Sequence, residues 1–343
     1  MKALIGMSGG VDSSVAVFLM KEAGCECLGA TMRLLEHGDG VEDARKVAQR
    51  MGIPFYEFDL ADQFQAQVMD AFVRCYQCGL TPNPCIECNK HLKFGVFLDK
   101  ALELQCDYIV TGHYARIAQR DGRWCLQKAV DEGKDQTYFL YTLTQQQLSH
   151  TRFPLGELTK AQARRIAEEQ GFLNARKKDS QDICFVPDGD YMAFLESYTG
   201  EKGLPGDFLD ERGQVVGQHR GAAAYTIGQR KGLGLAMGAP VYVTGKDMAA
   251  NTVTVGPNEA LFHRALIAGD VNWMAIDRPA EPFRCKAKAR SRMTEQPATV
   301  YPLEDGTIRV EFDEPQRAIT PGQAVVLYDD DLVLGGGSIV NAI

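Results

Sequence analysis

The chain has 343 residues, is 45% hydrophobic and 24% charged, and carries a formal net charge of −8, which is ordinary globular composition at a length for two or three domains. No apolar run approaches the roughly 20 residues that cross a bilayer, and the opening MKALIGMSGG enters a strand without a cleavable leader pattern, so a cytoplasmic protein with no membrane partner is expected. The acidic balance excludes a surface that is basic all over but leaves room for a local basic strip, because salt screens charges beyond about 10 Å.

In chain order, the first half alternates apolar runs with helical periodicity. KALIGM reads as a buried strand and Ser13 to Ala23 as a helix. CLGATMRL is a second strand, and VEDARKVAQRMG a helix closed by Gly52. PFYEFDL is a third strand, followed by helices over 61–74 and 90–104 and a strand in YIVTGHYA. Repeated strand–helix units predict an α/β domain, a doubly wound parallel sheet over 1–200. Ligands of such sheets sit beyond the carboxyl ends of the strands, here the turns after Met7, Leu34 and Val110. Helical patterning continues through TKAQARRIAEEQG and fades near Gly200. Beyond it, short runs such as APVYVTGKD, NTVTVGP and TIRVEF, separated by Gly, Pro, Asn and Asp, predict two small mostly β domains, 201–261 and 262–343.

The turn IGMSGGVDSS lies between the first strand and the first helix. A glycine-rich turn there offers N–H groups and a positive helix end to an anion. Ser8, Gly9, Gly10, Ser13 and Ser14 supply that geometry, the two later serines either as hydroxyl donors or as helix caps. A P-loop would end in Gly-Lys-Ser/Thr; here Asp12 stands where a cation is expected. Asp12 repels a bare polyphosphate unless Mg²⁺ bridges them, so it reads as a metal anchor or a loop-ordering residue. The string SGGVDSS resembles the loop of the ATP-pyrophosphatase family. That resemblance implies cleavage of ATP between the α and β phosphates and adenylation of a carbonyl oxygen.

Ten cysteines in a reducing compartment read as buried hydrophobes, metal ligands or reactive thiols rather than disulfides. Cys85 and Cys88 form a C-x-x-C pair after the prolines that flank Asn83, and Cys75 and Cys78 repeat the spacing. The four together are a candidate zinc knuckle. A helix starting near Lys90 would aim its N-terminus at this turn and lower a thiol pKa; Lys177 and Lys178 would favour a thiolate at Cys184. Cys25, Cys27, Cys106 and Cys125 read as filler at strand or element ends.

GMSGGVDSSVA, TPNPCIECNKHLKF, TGHYAR, KDQTYFL, DSQDICFV and YTIGQRKGLG occur in this order. Together they resemble the tRNA-specific 2-thiouridylases, from residue 2 to the end and least in the last eighty residues. The resemblance implies an adenine nucleotide alpha-hydrolase-like catalytic domain and a C-terminal β-barrel-like tRNA-binding domain. It implies an ATP-dependent sulfurtransferase acting on the wobble uridine of Lys, Glu and Gln tRNAs. It implies a persulfide donor such as a cysteine desulfurase or sulfur-relay protein. Carried over by position, Gly6, Met7, Ser8, Gly9, Gly10, Val11, Asp12 and Ser13 would bind ATP phosphates with Mg²⁺, and Met32 and Gly112 would flank adenine and ribose. Asn83, Pro84, Cys85, Lys134, Asp135 and Gln136 would meet tRNA near the target base, as would Arg290, Ser291 and Arg292. Cys88 matches the nucleophile and Cys184 the persulfide carrier. An aspartate often stands in the family where this chain has Cys85. With Cys85 in place, Cys85, Cys88 and Cys184 are also candidate ligands of a [4Fe–4S] cluster, an alternative route to the same product. Asp179 and Asp182, around the SQ before Cys184, read as a loop cap, a metal ligand or a proton shuttle.

FRCKAKARSRM places Arg284, Lys286, Lys288, Arg290 and Arg292 at every second residue. On one strand these share a face, a basic stripe suited to an RNA backbone or to shielding an edge. The family tends to carry an aromatic residue where Ser291 stands. Tyr225–Gly234 reads as a loop over the site, a contact for the anticodon stem, or a barrel turn. Of six histidines, only His113 is placed for substrate, and a structural hydrogen bond suits it better. Two competing readings remain: another adenylating enzyme, of the amidotransferase or lysidine-forming type, and a non-catalytic metal-containing RNA-binding protein. The first does not need paired distant cysteines and the second leaves SGGVDSS unexplained.

Overall fold

A computed structural model describes residues 1–35, 40–172, 174–175, 183–186 and 189–343. Lys177, Lys178, Asp179 and Asp182 lie outside the described residues.

Strand β1 (Lys2–Gly6) runs into helix α1 (Val11–Glu22), then β2 (Glu26–Arg33), α2 (Gly40–Met51) and β3 (Phe55–Asp59). Two long helices follow, α3 over 61–77 and α4 over 84–103, each with a π-helical stretch, Gln65–Met69 and Cys88–Val96. After β4 (Tyr108–Val110) come a hairpin of β5 (Arg116–Arg120) and β6 (Arg123–Gln127), a short α5 (Gln145–Ser149) and β7 (Thr151–Arg152). The first sheet has the order β3-β2-β1-β4-β7 and is wholly parallel. Ala3, Leu4 and Ile5 are each 0% exposed, because helices cover both faces and a continuous apolar run is what such a strand needs. Leu4 joins Leu28, Phe97 and Ile109 on one side; Ala3 and Ile5 join Val15, Val47 and Ala163 on the other. The chain order reverses between β1 and β4, so the crevice at their carboxyl ends is the switch point where such sheets bind ligands.

Helix α6 (Lys160–Glu169) starts with Thr159 and Gln162 in a reciprocal capping box. After α7 (Tyr191–Thr199), Gly200 closes the helix in the left-handed region. Strands β8 (Gly206–Leu209), β9 (Val215–His219), β10 (Tyr242–Asp247) and β11 (Thr252–Gly256) make a sheet of order β10-β11-β8-β9. The C-terminal strands are β12 (Phe262–Trp273), β13 (Phe283–Lys288), β14 (Gln296–Pro302), β15 (Ile308–Arg317), β16 (Ala324–Asp329) and β17 (Leu332–Ala342). Their order β12-β15-β14-β13-β16-β17 closes through a β12–β17 pairing into a barrel, which leaves no free edge. The β5–β6 hairpin attaches to it where Leu332 pairs with Gln127. Among the described residues no helix is long and apolar enough to cross a membrane.

Two expectations need correction. The helix expected from Lys90 begins at Pro84, with Asn83 as its N-cap accepting from the Cys85 N–H at 3.2 Å. Asn at the cap and Pro at the first position are strong helix-start signals. Both Cys85 and Cys88 therefore lie inside the helix, not in a turn before it. The loss of this cap in Asn83→Ala is expected to cost about 1 kcal/mol, read as a lower urea midpoint with unchanged slope. The basic stripe also ends early: β13 stops at Lys288. Arg284 is paired bidentately with Asp313 (2.6 and 2.7 Å), and Lys286 lies 3.9 Å from Asp330. Only Arg290 and Arg292 are carried onward, on the turn beyond the strand.

Candidate active site

The phosphate-type loop is built by constraint. Gly9 has φ +70°, and a Cβ there would lie 2.4 Å from the Gly40 carbonyl oxygen, so only glycine fits. The Ser8 N–H donates to Ser13 Oγ (3.2 Å). The Ser13 and Ser14 hydroxyls both donate to the Gly10 carbonyl (3.1 and 3.0 Å). Both hydroxyls brace the turn, and the N-cap of α1 is Gly10 rather than either serine. Asn174, 6% exposed, donates from Nδ2 to the Gly9 carbonyl (3.0 Å) and to Ser14 Oγ (2.9 Å), holding the loop from beneath. Val11 starts α1, whose first-turn N–H groups face the end of the sheet and suit an anion. Gly6 ends β1 and Met7 is buried behind the loop. Gly112 packs so closely that a Cβ would fall 2.9 Å from Ser13 N, while Met32 is half-buried near the end of β2.

Asp12 is not left facing the phosphates alone. Lys160 Nζ donates to both its oxygens (2.9 and 2.8 Å), and the Tyr114 hydroxyl donates to Oδ1 (2.9 Å). The Lys160 side chain is 10% exposed and that of Asp12 30%, so the pair is partly dehydrated and stronger than a surface pair. The cation missing from the loop thus arrives from the first turn of α6. Tyr114 also links this point to KDQ: its N–H donates to Gln136 Oε1 (2.9 Å), and the Gln136 N–H to its carbonyl (2.9 Å). Asp135 accepts from the Ala129 N–H and the Thr137 hydroxyl, and burial raises its pKa. Lys134 precedes it on the same half-buried segment. His113 is buried, hydrogen-bonded through Nδ1 to Thr111 (2.7 Å) and packed against Phe94 and Phe153. Burial, with Lys93 adding to it, holds its pKa well below the usual value: a structural imidazole, as expected.

Cys88 is 8% exposed, Cys85 and Cys184 are exposed. Phe185, next to Cys184, is clamped edge-on between Phe64 and Phe72 of α3, which delivers Cys184 to α4. The proximity is visible in the acidities. Cys184 keeps solvent-accessible surface, yet the protein packed around its thiol pushes it up to about 11, first by desolvation and then by the neighbouring Cys88 and Cys85, with Lys93 opposing. Burial likewise raises Cys88, and Lys93 again opposes. The sequence pointed toward lowered thiol pKa values; desolvation outweighs the nearby charge. Among the described residues, no three His, Cys, Asp or Glu side chains could hold a metal ion. The spacing of these side chains does not suit a single zinc ion on Cys75, Cys78, Cys85 and Cys88, and nothing in it speaks for a [4Fe–4S] cluster on Cys85, Cys88 and Cys184. Cys27, Cys106 and Cys125 are buried filler.

A cleft of about 240 Å³ joins the distant motifs. It is lined by Thr81, Thr226, Arg290, Ser291, Arg292, Thr320 and Gln323. Thr81, two residues before Asn83, is fixed to the barrel: its N–H donates to the Pro321 carbonyl (2.9 Å) and its carbonyl accepts from Gln323 Nε2 (2.7 Å). Arg290 donates to the Ile227 carbonyl (3.1 Å) and to Thr320, while its Nε is buried without a partner. Thr226 and Ile227 belong to YTIGQRKGLG, so this segment lies beside the cleft, between the middle sheet and the barrel.

The chain matches three family models end to end: a tRNA methyl transferase HUP domain over 1–188, a PRC-barrel domain over 192–257 and an aminomethyltransferase beta-barrel domain over 263–339. It is 50% identical to the tRNA-specific 2-thiouridylase MnmA of Symbiobacterium thermophilum, across 100% of this chain and 93% of that protein. It is 49% identical to the MnmA of Clostridium perfringens, across 98% of both. The chain belongs to the tRNA-specific 2-thiouridylase family. The MnmA of Acetivibrio thermocellus is also 49% identical, across 98% of this chain and 99% of that protein.

Sequence reasoning on this 2-thiouridylase chain missed Lys160, Tyr114 and Asn174. Lys160 and Asn174 lie in segments that read only as a helix start and a helix end. Tyr114 stands inside TGHYAR beside His113, with no local signal that its hydroxyl reaches Asp12.

Proposed function

We propose that this chain is an ATP-dependent tRNA-uridine 2-sulfurtransferase. It adenylates the C2 oxygen of the wobble uridine and replaces it with sulfur carried as a Cys184 persulfide. The observation that carries this reading is the packing of Phe185, next to Cys184, into the same core cluster as Cys88, far apart in the chain, in a protein of the 2-thiouridylase family that also holds an SGGVDSS loop.

The C2 carbonyl is a poor electrophile with a poor leaving group. Adenylation remedies both, and the loop N–H groups receive the departing pyrophosphate. Asp12, occupied by Lys160 and Tyr114, orders the loop, and Mg²⁺ arrives with ATP. The terminal persulfide sulfur attacks C2. The Cys88 thiolate then attacks Cys184 Sγ, and the S–S electron pair passes to the sulfur now on C2. AMP leaves with the C–O pair. The products are 2-thiouridine, AMP and a Cys88–Cys184 disulfide, which an external thiol must reduce by two electrons. In the other order, Cys88 first displaces hydrosulfide, which attacks C2 with the same balance.

The chain divides by function near residues 200 and 262, with the tRNA held by Asn83 to Cys85, by the Lys134–Gln136 segment and by Arg290 to Arg292. Its substrates are the Lys, Glu and Gln tRNAs in the cytoplasm. Its sulfur comes from a cysteine desulfurase or a relay protein. Arg290→Met is expected to weaken tRNA binding and make the plot of log affinity against log salt shallower by about one. Filter binding across a salt series reads this. For the reaction itself, tRNA incubated with the protein, ATP and a protein persulfide donor is digested for nucleoside mass spectrometry. 2-Thiouridine together with AMP and pyrophosphate is expected. Pyrophosphate without 2-thiouridine, on adding an amine acceptor instead, would move the chain to another adenylating class.

A further inference from the structure

The stretch from Cys88 to Val96 is π-helical. Its bonds run i→i+5 rather than i→i+4, so Lys93, five residues after Cys88, stands one hydrogen-bonded turn above it. In an α-helix the same five-residue step would swing the lysine toward the flank. π-Helical turns often mark functional sites; here the turn begins on the candidate nucleophile itself.

The Lys93 ammonium sits among groups from three elements. It acts on Cys88 of α4, on Cys184 of the segment carried by Phe185, and on His113 beyond β4. Lys93 is half-buried, and no carboxylate of the described residues pairs with it. Other partly buried cations are treated otherwise: Lys160 is matched by Asp12, Lys128 by Glu295 and Arg116 by Asp331. A half-buried cation without a counter-ion is costly, and the groups it faces are neutral thiols and a neutral imidazole. The arrangement is balanced only when an anion forms among them.

We propose that Lys93 is a positioning residue that supplies the counter-charge for anionic sulfur, holding the Cys88 thiolate and the terminal sulfur anion of a Cys184 persulfide. This rests on the sulfurtransferase reading for its purpose, though the charge relation itself does not. Among the described residues, the charged or titratable groups facing Cys184 are Cys88 and Cys85, which oppose ionisation, and Lys93, which favours it together with a backbone hydrogen bond. Removing the one favourable charge leaves burial and two thiols against the anion. Lys93 thus keeps a fraction of sulfur ionised in a site that burial would otherwise silence, without a carboxylate that would compete for it.

The experiment measures iodoacetamide alkylation of Cys184 by peptide mass spectrometry at pH 8, without ATP or tRNA. Lys93→Met is expected to slow it by about three- to tenfold, and Lys93→Arg, which keeps the charge, to stay within about twofold of wild type. In single-turnover sulfur transfer from the persulfidated enzyme, the Met variant should fall by about tenfold or more, with pyrophosphate release unchanged. Alkylation as fast in Met as in wild type would overturn the proposal. So would an Arg variant as slow as Met, since shape rather than charge would then be at work, and so would a loss confined to tRNA affinity. Lys93→Gln replaces Met if the latter melts early. If the wild type makes no 2-thiouridine, the sulfurtransferase reading fails while the alkylation comparison still judges Lys93.

Discussion

Cys184→Ser is expected to abolish sulfur transfer, a fall of at least about a thousandfold, as removal of a reacting nucleophile produces. ATP-dependent pyrophosphate release on adding tRNA should persist. The two activities separate because the two halves of the site are built on different elements. The loop that receives pyrophosphate stands between β1 and α1, braced by Asn174, Lys160 and Tyr114. Cys184 is held from the other side, by Phe185 on the aromatic face of α3. A serine hydroxyl occupies nearly the same volume, so the packing around Phe185 is kept, but oxygen cannot carry sulfane sulfur. Single-turnover assays with a protein persulfide donor read the first activity and a coupled pyrophosphate assay the second. Normal thiolation by the variant would sink the carrier assignment.

Lys160→Met should act on the nucleotide half. The ion pair with Asp12 is partly shielded from water, and taking one partner from such a pair leaves a charge held by Tyr114 alone, a cost of about 2 kcal/mol. That charge lies in the first turn of α1, next to where polyphosphate binds, so it opposes the ligand as well as the fold. ATP affinity is expected to fall by about 30-fold or more, with a lower melting temperature. Adding Asp12→Asn to the variant should recover much of both, because the repulsive carboxylate is then gone. Calorimetric titration with ATP and thermal melts check this. An unchanged affinity in Lys160→Met would show that the pair only staples α6 to α1.

Much of this was legible in the sequence because the relevant residues are contiguous. The buried strand KALIG, the glycines of SGGVDSS and the Asn-Pro start of α4 act through neighbours one to five residues away, which is what a one-dimensional pattern records. The start expected at Lys90 lies six residues after the observed one at Pro84, although Asn83 and Pro84 carry the cap signal in plain form. The β5–β6 hairpin was also missed; its Asp121-Gly122 turn, both at positive φ, has the residues that a tight hairpin turn prefers. Both signals are local in the sequence.

Other features had no local signal. The alternation of basic residues from Arg284 to Arg292 is real, but Asp313, on another strand, cancels its first member. The burial that raises the Cys88 thiol comes from the packing of α3, α4 and the middle sheet, against which a helix start or a nearby lysine weighs less.

The sequence by itself determined the chemistry: a phosphate-gripping turn without its lysine, two cysteines in distinct contexts, and a parallel sheet to carry them, each written in residues adjacent along the chain. The tertiary structure alone decided the charge balance. It brought Lys160 to Asp12, Thr81 to the barrel and Lys93 to two thiols from different elements. Electrostatic interactions depend on distance in space and on exclusion of water, and neither is set by spacing along the chain.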